Sequence, residues 1–294
     1  MSLPYVELSP IDLSSVGLGE LDWFALFVLA GLVVAVTVYD RMCSRGGAVS
    51  APVARAFPEA CVVGGFVVAH LVHVLVYHPE LLARDPWLPL KIWAGMSSMG
   101  GFAGGLIAGA AYVRWRRQPL LPYADRIVVA IAIGWVFGRL GCATSHDHPG
   151  SLTDFPLAVA YPGGARHDLG LYELAFTLFV LVPLLLRLSR RPWRTGTLVG
   201  AALLAYAPVR FFLDFLRARD LSFVDPRYLG LTPAQYAAVA MFGAGCFIFV
   251  RRRQGALGGG LQPPLWGKAA VAAVIGSPVL VAPKDEEAHD GAER

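Results

Sequence analysis

Charged residues are scarce in this sequence. Asp, Glu, Lys and Arg make up 16% of the 294 residues, whereas a typical soluble domain carries about 25%. Hydrophobic residues make up 56%, and the mean hydropathy is positive at +0.55. These proportions exclude an ordinary soluble globular protein of this length and indicate a polytopic membrane protein.

Several sequence patterns are also missing. The four cysteines are scattered and include no CxxC pair, so we expect no disulfide framework and no metal site. We also expect no cofactor. No basic segment is interleaved with aromatic residues, which argues against nucleic-acid binding. The first 20 residues carry Glu7, Asp12 and Glu20 and no basic residue. They do not resemble the basic start of a cleaved signal peptide, so we expect the first helix to remain in the chain.

Long apolar stretches dominate the sequence and predict an all-α integral membrane protein. Windows of about 19 residues identify seven transmembrane helices packed as a bundle. The predicted spans are residues 21–39, 57–77, 99–115, 126–142, 171–188, 196–216 and 232–250. Segment 78–98 is too polar to span, and its Leu and Trp residues predict an interfacial helix on the outer side.

Arginine clusters set the predicted orientation. They follow the first, third, fifth and seventh spans and therefore all lie on one side. Because basic residues concentrate in cytoplasmic loops, the N-terminus is predicted outside and the C-terminus in the cytoplasm. Polar loops 78–98 and 143–170 then lie outside. We predict one transmembrane domain, 1–253, and a disordered cytoplasmic tail, 254–294, which is rich in Gly, Pro and Ala.

Two arginines lie in apolar stretches, Arg139 and Arg210. On a helix, a face about 80° wide carries four polar residues: Tyr206, Arg210, Asp214 and Arg217. A guanidinium at bilayer depth is costly unless it has an anionic partner or a wet cavity. Asp214 supplies such a partner in a purely structural interpretation. The functional interpretation is a bound anion, for which phosphate is the obvious candidate.

Two further patterns have both a structural and a functional interpretation. Glycines crowd one side of the third span, including Gly104 and Gly105; they indicate close helix packing or close approach to a lipid headgroup. His70 and His73 lie one helical turn apart in the second span. They bind haem or a metal in one interpretation, and in the other they form hydrogen bonds in the polar interior of the bundle.

Histidines and an aspartate follow Arg139 closely. Ser145, His146, Asp147 and His148 come within about two helical turns of it. His and Asp in this setting supply a base, an acid or a metal ligand. The alternative is a solvated polar loop.

The segment 138–150, GRLGCATSHDHPG, resembles the signature of the prolipoprotein diacylglyceryl transferase family, Gly-Arg-Ile-Gly-Asn-Phe-x-Asn-x-Glu. Gly138, Arg139 and Gly141 match it. Asp147 stands at the Glu position of the signature. Cys142 and Ser145 stand at its Asn positions.

Four other stretches resemble the family in the same order, and together they cover about residues 20–250. Segment 167–173 is similar to the family motif His-Pro-x-Gln-Leu-Tyr-Glu. Segment 206–217 is similar to the motif Tyr-Gly-x-x-Arg-Phe-x-x-Glu-Phe-x-Arg, with Asp214 in place of Glu. Segment 230–235 is similar to Gly-Leu-Thr-x-Gly-Gln, and 70–77 to Arg-Leu-Gly-Tyr-Val-Leu-x-Tyr.

One departure concerns the His-Gly-Gly that the family carries on the third helix, where its histidine is thought to serve in catalysis. Here Ala103 stands in place of that histidine, while Gly104 and Gly105 are kept.

The resemblance implies an enzyme of the bacterial inner membrane. The family moves the diacylglyceryl group of phosphatidylglycerol onto the lipobox cysteine of a prolipoprotein and releases glycerol phosphate. The implied partners are phosphatidylglycerol, the lipobox segment and membrane lipids. Arg139 and Arg210 would hold the phosphate. The other implied substrate-binding residues are Gly104, Gly105, Asp147, Tyr172, Glu173, Asp214 and Arg217, with Glu173 and Asp214 as orienting partners.

The thiol acceptor needs a base, which Ala103 cannot be. The remaining candidates are His146, His148 and His167 in the outer loop, or Tyr206 assisted by Arg210. Three functions stay open: a divergent diacylglyceryl transferase, a related membrane transferase with another acceptor or lipid, and a noncatalytic lipid-binding or transport protein. The missing histidine favours the last. The retained arginines and Tyr206 favour an enzyme, because buried charges are costly to keep.

Overall fold

A computed structural model of the chain describes residues 2–12, 14, 20–46, 49–91, 95–221, 227–255, 257 and 260–266. Most of the tail predicted to be disordered, 267–294, lies outside the described residues. The α-helices are α1 (Trp23–Gly46), α2 (Ala51–Val72), α3 (Pro79–Arg84), α4 (Ser98–Trp115), α5 (Leu120–Ser145), α6 (Leu169–Phe176), α7 (Val182–Ser189), α8 (Thr197–Leu213) and α9 (Pro233–Arg253).

Short π- and 3₁₀-helical segments extend several of these helices. The π-helical segments are His73–Tyr77 after α2 and Thr177–Leu181 between α6 and α7; the 3₁₀ turns are Leu88–Leu90 and Asp214–Leu216. The short strands are β1 (Ile11–Asp12), β2 (Glu20–Leu21), β3 (Pro149–Leu152), β4 (Val159–Tyr161), β5 (Gly164–Asp168), β6 (Trp193–Arg194) and β7 (Leu261–Gln262).

The predicted all-helical membrane body is confirmed. Within the described residues, six helical segments are long and apolar enough to cross a membrane: Trp23–Ser44, Ala51–Val76, Leu120–Ser145, Leu169–Ser189, Thr197–Leu216 and Pro233–Arg253. The protein is therefore a multi-pass membrane protein. Helix α4 coincides with the predicted third span, but its glycines and Arg114 make it more polar than these six.

The interfacial helix predicted for segment 78–98 is not confirmed. The described part of the segment, residues 78–91 and 95–98, contains the six-residue α3 and the 3₁₀ turn Leu88–Leu90. Helix α3 ends at Arg84, and the next residue, Asp85, has an extended backbone with φ −139° and ψ 90°. The cause is Pro86, because the ring of a proline disfavours helical backbone at the residue before it.

Helices pack as neighbouring pairs, with α2 along α4, α1 along α5 and α8 along α9. Small residues permit the closest approaches. A Cβ added to Gly104 would lie 2.4 Å from the backbone oxygen of Gly64, and one on Gly134 would lie 2.5 Å from that of Gly31. Since such distances are too short for real contacts, glycine is required at these crossings.

One end of the bundle, which we call the arginine-rich end, holds the apolar core and a buried polar pair. Asp125 accepts hydrogen bonds from the backbone N–H of Gly196 at 2.7 Å and of Val199 at 3.0 Å. The fully buried Arg126 donates to the Pro122 carbonyl oxygen at 2.7 Å. These bonds tie the start of α5 to the start of α8.

Part of the tail that the sequence predicted to be disordered is ordered at this end. Strand β7 pairs with β6 in antiparallel fashion. The Gln262 side chain accepts from Arg126 at 3.3 Å, and the Trp266 indole donates to the Ser189 hydroxyl at 2.8 Å. Buried Leu265 and Trp266 supply the apolar contact that a Gly- and Pro-rich composition did not suggest.

At the opposite end, which we call the site end, α5 and α8 stop and α6 and α9 begin. The chain between α5 and α6 forms a three-stranded antiparallel sheet in the order β3-β5-β4. A bridge joins Leu3 to Val159, and another joins Gly150 to Arg217. The predicted polar loop 143–170 is therefore a folded cap over the ends of the helices.

Candidate functional site

Arg139, near the end of α5, is buried among partners from three helices. Its Nε lies 2.9 Å from Glu173 Oε1, and its guanidinium lies 4.4 Å from the centroid of the Trp135 ring. Trp135 also donates from Nε1 to Glu173 Oε1 at 3.2 Å. Tyr206 of α8 donates its hydroxyl hydrogen to the same oxygen.

Glu173 joins these three side chains through one carboxylate oxygen. Its side chain is 1% exposed, and Oε2 has no hydrogen-bond partner among the described residues. A buried carboxylate that is bonded on one side fixes the orientation of its arginine and tyrosine partners. This arrangement supports the expectation that Glu173 orients other residues.

Arg210, near the end of α8, has a second carboxylate partner. Its Nη2 lies 3.2 Å from Asp214 Oδ1, and Arg217 Nε lies 3.0 Å from the same oxygen. Asp214 is fully buried and accepts a further hydrogen bond from the Thr232 hydroxyl at the start of α9. The structural ion pair expected from the spacing is therefore present.

The ion pair with Asp214 does not use the whole Arg210 guanidinium. Its Nη1 is buried and has no hydrogen-bond partner among the described residues. An unpaired buried N–H of a charged group is costly to leave unsatisfied. A phosphate oxygen is a suitable acceptor for it.

Tyr206 links the surroundings of the two arginines. It lies one helical turn before Arg210, and its hydroxyl group donates to the Glu173 oxygen that pairs with Arg139. Arg139 therefore lies near the face of α8 that carries Tyr206 and Arg210. Each of the two arginines has one buried carboxylate partner, Glu173 for Arg139 and Asp214 for Arg210.

His146 is fixed at the end of α5 by contacts on both ring nitrogens. Nδ1 lies 2.8 Å from Asp168 Oδ2, and Nε2 lies 3.2 Å from the Val6 carbonyl oxygen. The ring stacks on Tyr5 with centroids 4.2 Å apart. The backbone at His146 is left-handed, with φ 50°, and turns the chain back after α5. His146 therefore holds the cap in place.

His148 and Asp147 lie beside Cys142, one turn before the end of α5. His148 Nδ1 is 2.8 Å from Asp147 Oδ1. The His148 and Asp147 side chains are 23% and 39% exposed, while Cys142 is buried. Arg139 Nη1 points at Cys142 Sγ at 3.6 Å, which connects this group to the arginine cluster.

His167 of β5 pairs with another predicted site residue. Its Nδ1 lies 3.0 Å from the Tyr172 hydroxyl, which also donates to the Leu157 carbonyl oxygen at 3.3 Å. Burial lowers the pKa of His167 below its usual value. Burial therefore favours the neutral imidazole, and Tyr172 links β5 to the loop between β3 and β4.

Gly104 and Gly105 lie in the contact between α2 and α4. A Cβ on Gly105 would lie 3.2 Å from the Cys61 backbone oxygen, and Gly104 meets Gly64 as described above. Their packing interpretation is the one that the geometry supports. Ala103 is exposed on α4, next to Phe102, whose ring contacts Trp135 with centroids 5.2 Å apart.

His70 is a buried structural residue. Its Nδ1 lies 3.0 Å from the Gly95 carbonyl oxygen and its Nε2 3.1 Å from that of Leu88. The His73 ring lies against His78, with centroids 4.6 Å apart. These contacts attach segment 78–98 to α2 and support the hydrogen-bonding interpretation of the pair.

Sequence reasoning missed Trp135, Thr232 and the grouping of Cys142 with Asp147 and His148. The i,i+4 spacing of Trp135 and Arg139 places both on one helix face and was the available signal. Thr232 forms a capping box with Gln235, each bonding the other's backbone N–H. A Thr-x-x-Gln at a helix start predicts that box, but its bond to Asp214 depends on tertiary contact.

A family model described as prolipoprotein diacylglyceryl transferase matches residues 12–251 of this chain. Three relatives are named phosphatidylglycerol–prolipoprotein diacylglyceryl transferase. The one from Chromohalobacter salexigens is 32% identical and covers 86% of this chain and 95% of its own length. Those from Cereibacter sphaeroides and Ruegeria pomeroyi are 29% and 31% identical, over 86% and 85% of this chain and 98% and 97% of theirs.

Proposed function

The chain belongs to the prolipoprotein diacylglyceryl transferase family, and we propose that its two buried arginines are the phosphate-binding part of the active site. The enzyme is a transferase that moves the diacylglyceryl group of phosphatidylglycerol to a prolipoprotein. The observation that supports the proposal is the buried Nη1 of Arg210, which has no hydrogen-bond partner in the described part of the chain. It lies on the helix that also carries Tyr206.

The reaction requires charge stabilisation at the leaving group. A thiolate of the acceptor attacks the glyceryl carbon that bears the phosphate oxygen, and the C–O bond to glycerol phosphate breaks. Arg139 and Arg210 balance the charge on the departing phosphate through charge-assisted hydrogen bonds, which are stronger in a dry site than in water. Glu173 and Asp214 position the two guanidinium groups. Arg217, also paired with Asp214, adds positive charge on the same side.

Thiol activation takes place beside Asp147 and His148 in this proposal. Both ring nitrogens of His146 are engaged, and Nδ1 of His167 faces Tyr172. The His148 side chain is more exposed than that of His146, 23% against 7%. The acceptor is the lipobox cysteine of the prolipoprotein, which approaches this part of the site end. Gly104 and Gly105 contribute by close helix packing beside Ala103.

The proposed arrangement in the membrane has seven spans, with α4 as the third. Its apolar Phe102, Leu106 and Ile107 are 53%, 68% and 63% exposed, which suits contact with lipid tails. In the bacterial inner membrane, the arginine-rich end faces the cytoplasm and the site end faces outward, because basic residues are retained on the cytoplasmic side. The N-terminus then lies outside.

The test combines purified protein in detergent with phosphatidylglycerol and a lipobox peptide. Glycerol phosphate release and the peptide mass are followed together. We expect release with a diacylglyceryl mass gain, strongly reduced in Arg139→Gln and retained in Arg191→Gln, an exposed arginine at the other end. Release without mass gain would favour another acceptor. Lipid binding with no release, beside an active reference enzyme, would favour the noncatalytic alternative.

A further inference from the structure

Three potential metal ligands meet where α5 ends. One ligand atom each from Cys142, Asp147 and His148 lies within 4.8 Å of the other two. Although His148 Nδ1 is only 2.8 Å from Asp147 Oδ1, this buried nitrogen has no well-directed hydrogen bond to a described residue. If this nitrogen is unprotonated, its lone pair is available to bind a metal ion.

The left-handed turn at His146 brings these residues together. Helix α5 would carry Asp147 and His148 onward and away from Cys142 if it continued. Because the backbone at His146 has φ 50°, the chain reverses, and the two side chains fold back over the last turn of the helix. The spacing Cys-x4-Asp-His therefore differs from the CxxC spacing of common zinc sites.

We propose that Cys142, Asp147 and His148 bind a zinc ion. Thiolate, imidazole and carboxylate are the protein ligands of Zn²⁺, at about 2.0–2.3 Å, so the ligand atoms of a tetrahedral site lie about 3.3–3.8 Å apart. The three ligand atoms lie within 4.8 Å of one another, and the 2.8 Å between His148 Nδ1 and Asp147 Oδ1 must open by about 0.5 Å when the ion binds. One thiolate and one carboxylate neutralise the ion.

A neutral metal site of this kind is compatible with the adjacent arginine. Arg139 Nη1 lies 3.6 Å from Cys142 Sγ, so it would donate to a metal-bound sulfur. Hydrogen bonds of this type to ligand atoms orient them and tune the metal. The zinc ligands thus contact the side chain that is proposed to hold the phosphate.

Three protein ligands leave the fourth zinc position open, as in catalytic zinc sites. Resting on the proposed function, the inference is that the acceptor cysteine occupies this position. A thiol that coordinates a metal ion is deprotonated, and the thiolate is the nucleophile. The zinc ion therefore takes over the activation for which Ala103 provides no base.

The step balances without an oxidant or reductant. The acceptor thiol gives its proton to water on binding zinc. The thiolate attacks the glyceryl carbon, so a C–S bond forms while the C–O bond breaks. The electron pair of the C–O bond leaves with the phosphate oxygen, which Arg139 and Arg210 hold and which takes up a proton from water. Zinc keeps its charge throughout.

The first measurement is metal content and the cobalt spectrum of the full-length protein purified in detergent. We expect about one zinc per chain. After replacement by cobalt, we expect a thiolate-to-cobalt charge-transfer band that is absent in Cys142→Ser. His148→Gln should weaken zinc binding at least tenfold, and Cys246→Ser, which changes an exposed cysteine of α9, should leave it unchanged. Melting curves check that each variant is folded.

The second measurement adds the acceptor. A lipobox peptide should raise the charge-transfer absorbance of the cobalt protein, because a second thiolate joins the metal, and the same peptide with serine should not. A chelator should abolish diacylglyceryl transfer, and zinc should restore it. Transfer that persists in metal-free protein or in Cys142→Ser would overturn the inference and leave the proposed function intact. Cys142-dependent zinc binding with no transfer, beside an active reference enzyme, would overturn the proposed function.

Discussion

Replacing Arg210 with lysine tests whether the site needs only the positive charge of this side chain or also its two hydrogen-bonding nitrogens. Arg210 Nη2 lies 3.2 Å from Asp214 Oδ1, and Nη1 has no hydrogen-bond partner among the described residues. Nη1 can therefore donate to a bound phosphate. A lysine carries a single nitrogen on a flexible stem and cannot serve both roles in the same fixed geometry. Arg210→Lys therefore keeps the positive charge and loses about one charge-assisted hydrogen bond.

The magnitude follows from that one bond. A hydrogen bond to a charged group contributes about 1.5–3 kcal/mol, which corresponds to a fall of about 10- to 150-fold in kcat/KM. Arg210→Met also removes the charge and leaves Asp214 with Arg217 as its remaining ion-pair partner among the described residues. We expect its loss to exceed that of the lysine variant.

The assay is initial-rate release of glycerol phosphate over a range of phosphatidylglycerol concentrations. Arg252→Lys is a matched control, since Arg252 also ends a helix and bonds a side-chain oxygen, that of Thr197, at 2.5 Å. It lies at the arginine-rich end and should change kcat/KM less than threefold. Equal activity in wild type, Arg210→Lys and Arg210→Met would refute the role of Arg210 in phosphate binding.

Three further changes test other contacts. Tyr206→Phe removes a hydrogen bond to the Glu173 carboxylate and should lower the free energy of unfolding by about 1.5–3 kcal/mol and also reduce transfer; a variant with an unaltered rate would exclude Tyr206 from the site. Asp125→Asn replaces one of the two carboxylate oxygens that accept backbone N–H groups, so the free energy of unfolding should fall by about 1–3 kcal/mol in melting experiments. The enzyme that remains folded should keep its kcat. Because burial lowers the pKa of His167, the unfolded chain binds more protons at mildly acidic pH, so stability should fall as pH drops below about 6.5; His167→Gln should flatten that dependence.

The sequence predicted the helical body closely because hydrophobic length is a local property. The predicted span 126–142 lies inside α5, and the predicted span 232–250 begins one residue before α9 and ends inside it. Arg139 and Tyr206 also followed from local signals, since a charge or a hydroxyl in an apolar stretch needs a partner wherever the chain folds. Their meeting at Glu173 required tertiary structure.

The features that the sequence left open depend on contacts that no local pattern contains. Gly104 and Gly105 fit either lipid or helix contact until the position of α2 is known. His146 looked like a catalytic base, but its two nitrogens meet Asp168 and Val6, which are far away in sequence. Residues 260–266 looked disordered by composition, although their few apolar and amide side chains meet specific partners.

The contact between Gln262 and Arg126 has a consequence for biogenesis. Arg126 lies in a helix that is synthesised and inserted well before residue 262 leaves the ribosome. Until then, part of its buried guanidinium lacks the acceptor seen in the finished fold. Insertion of the helices and completion of their polar interior are therefore separate events in time, and a nascent chain halted after α9 would have its spans in place without yet having its final structure.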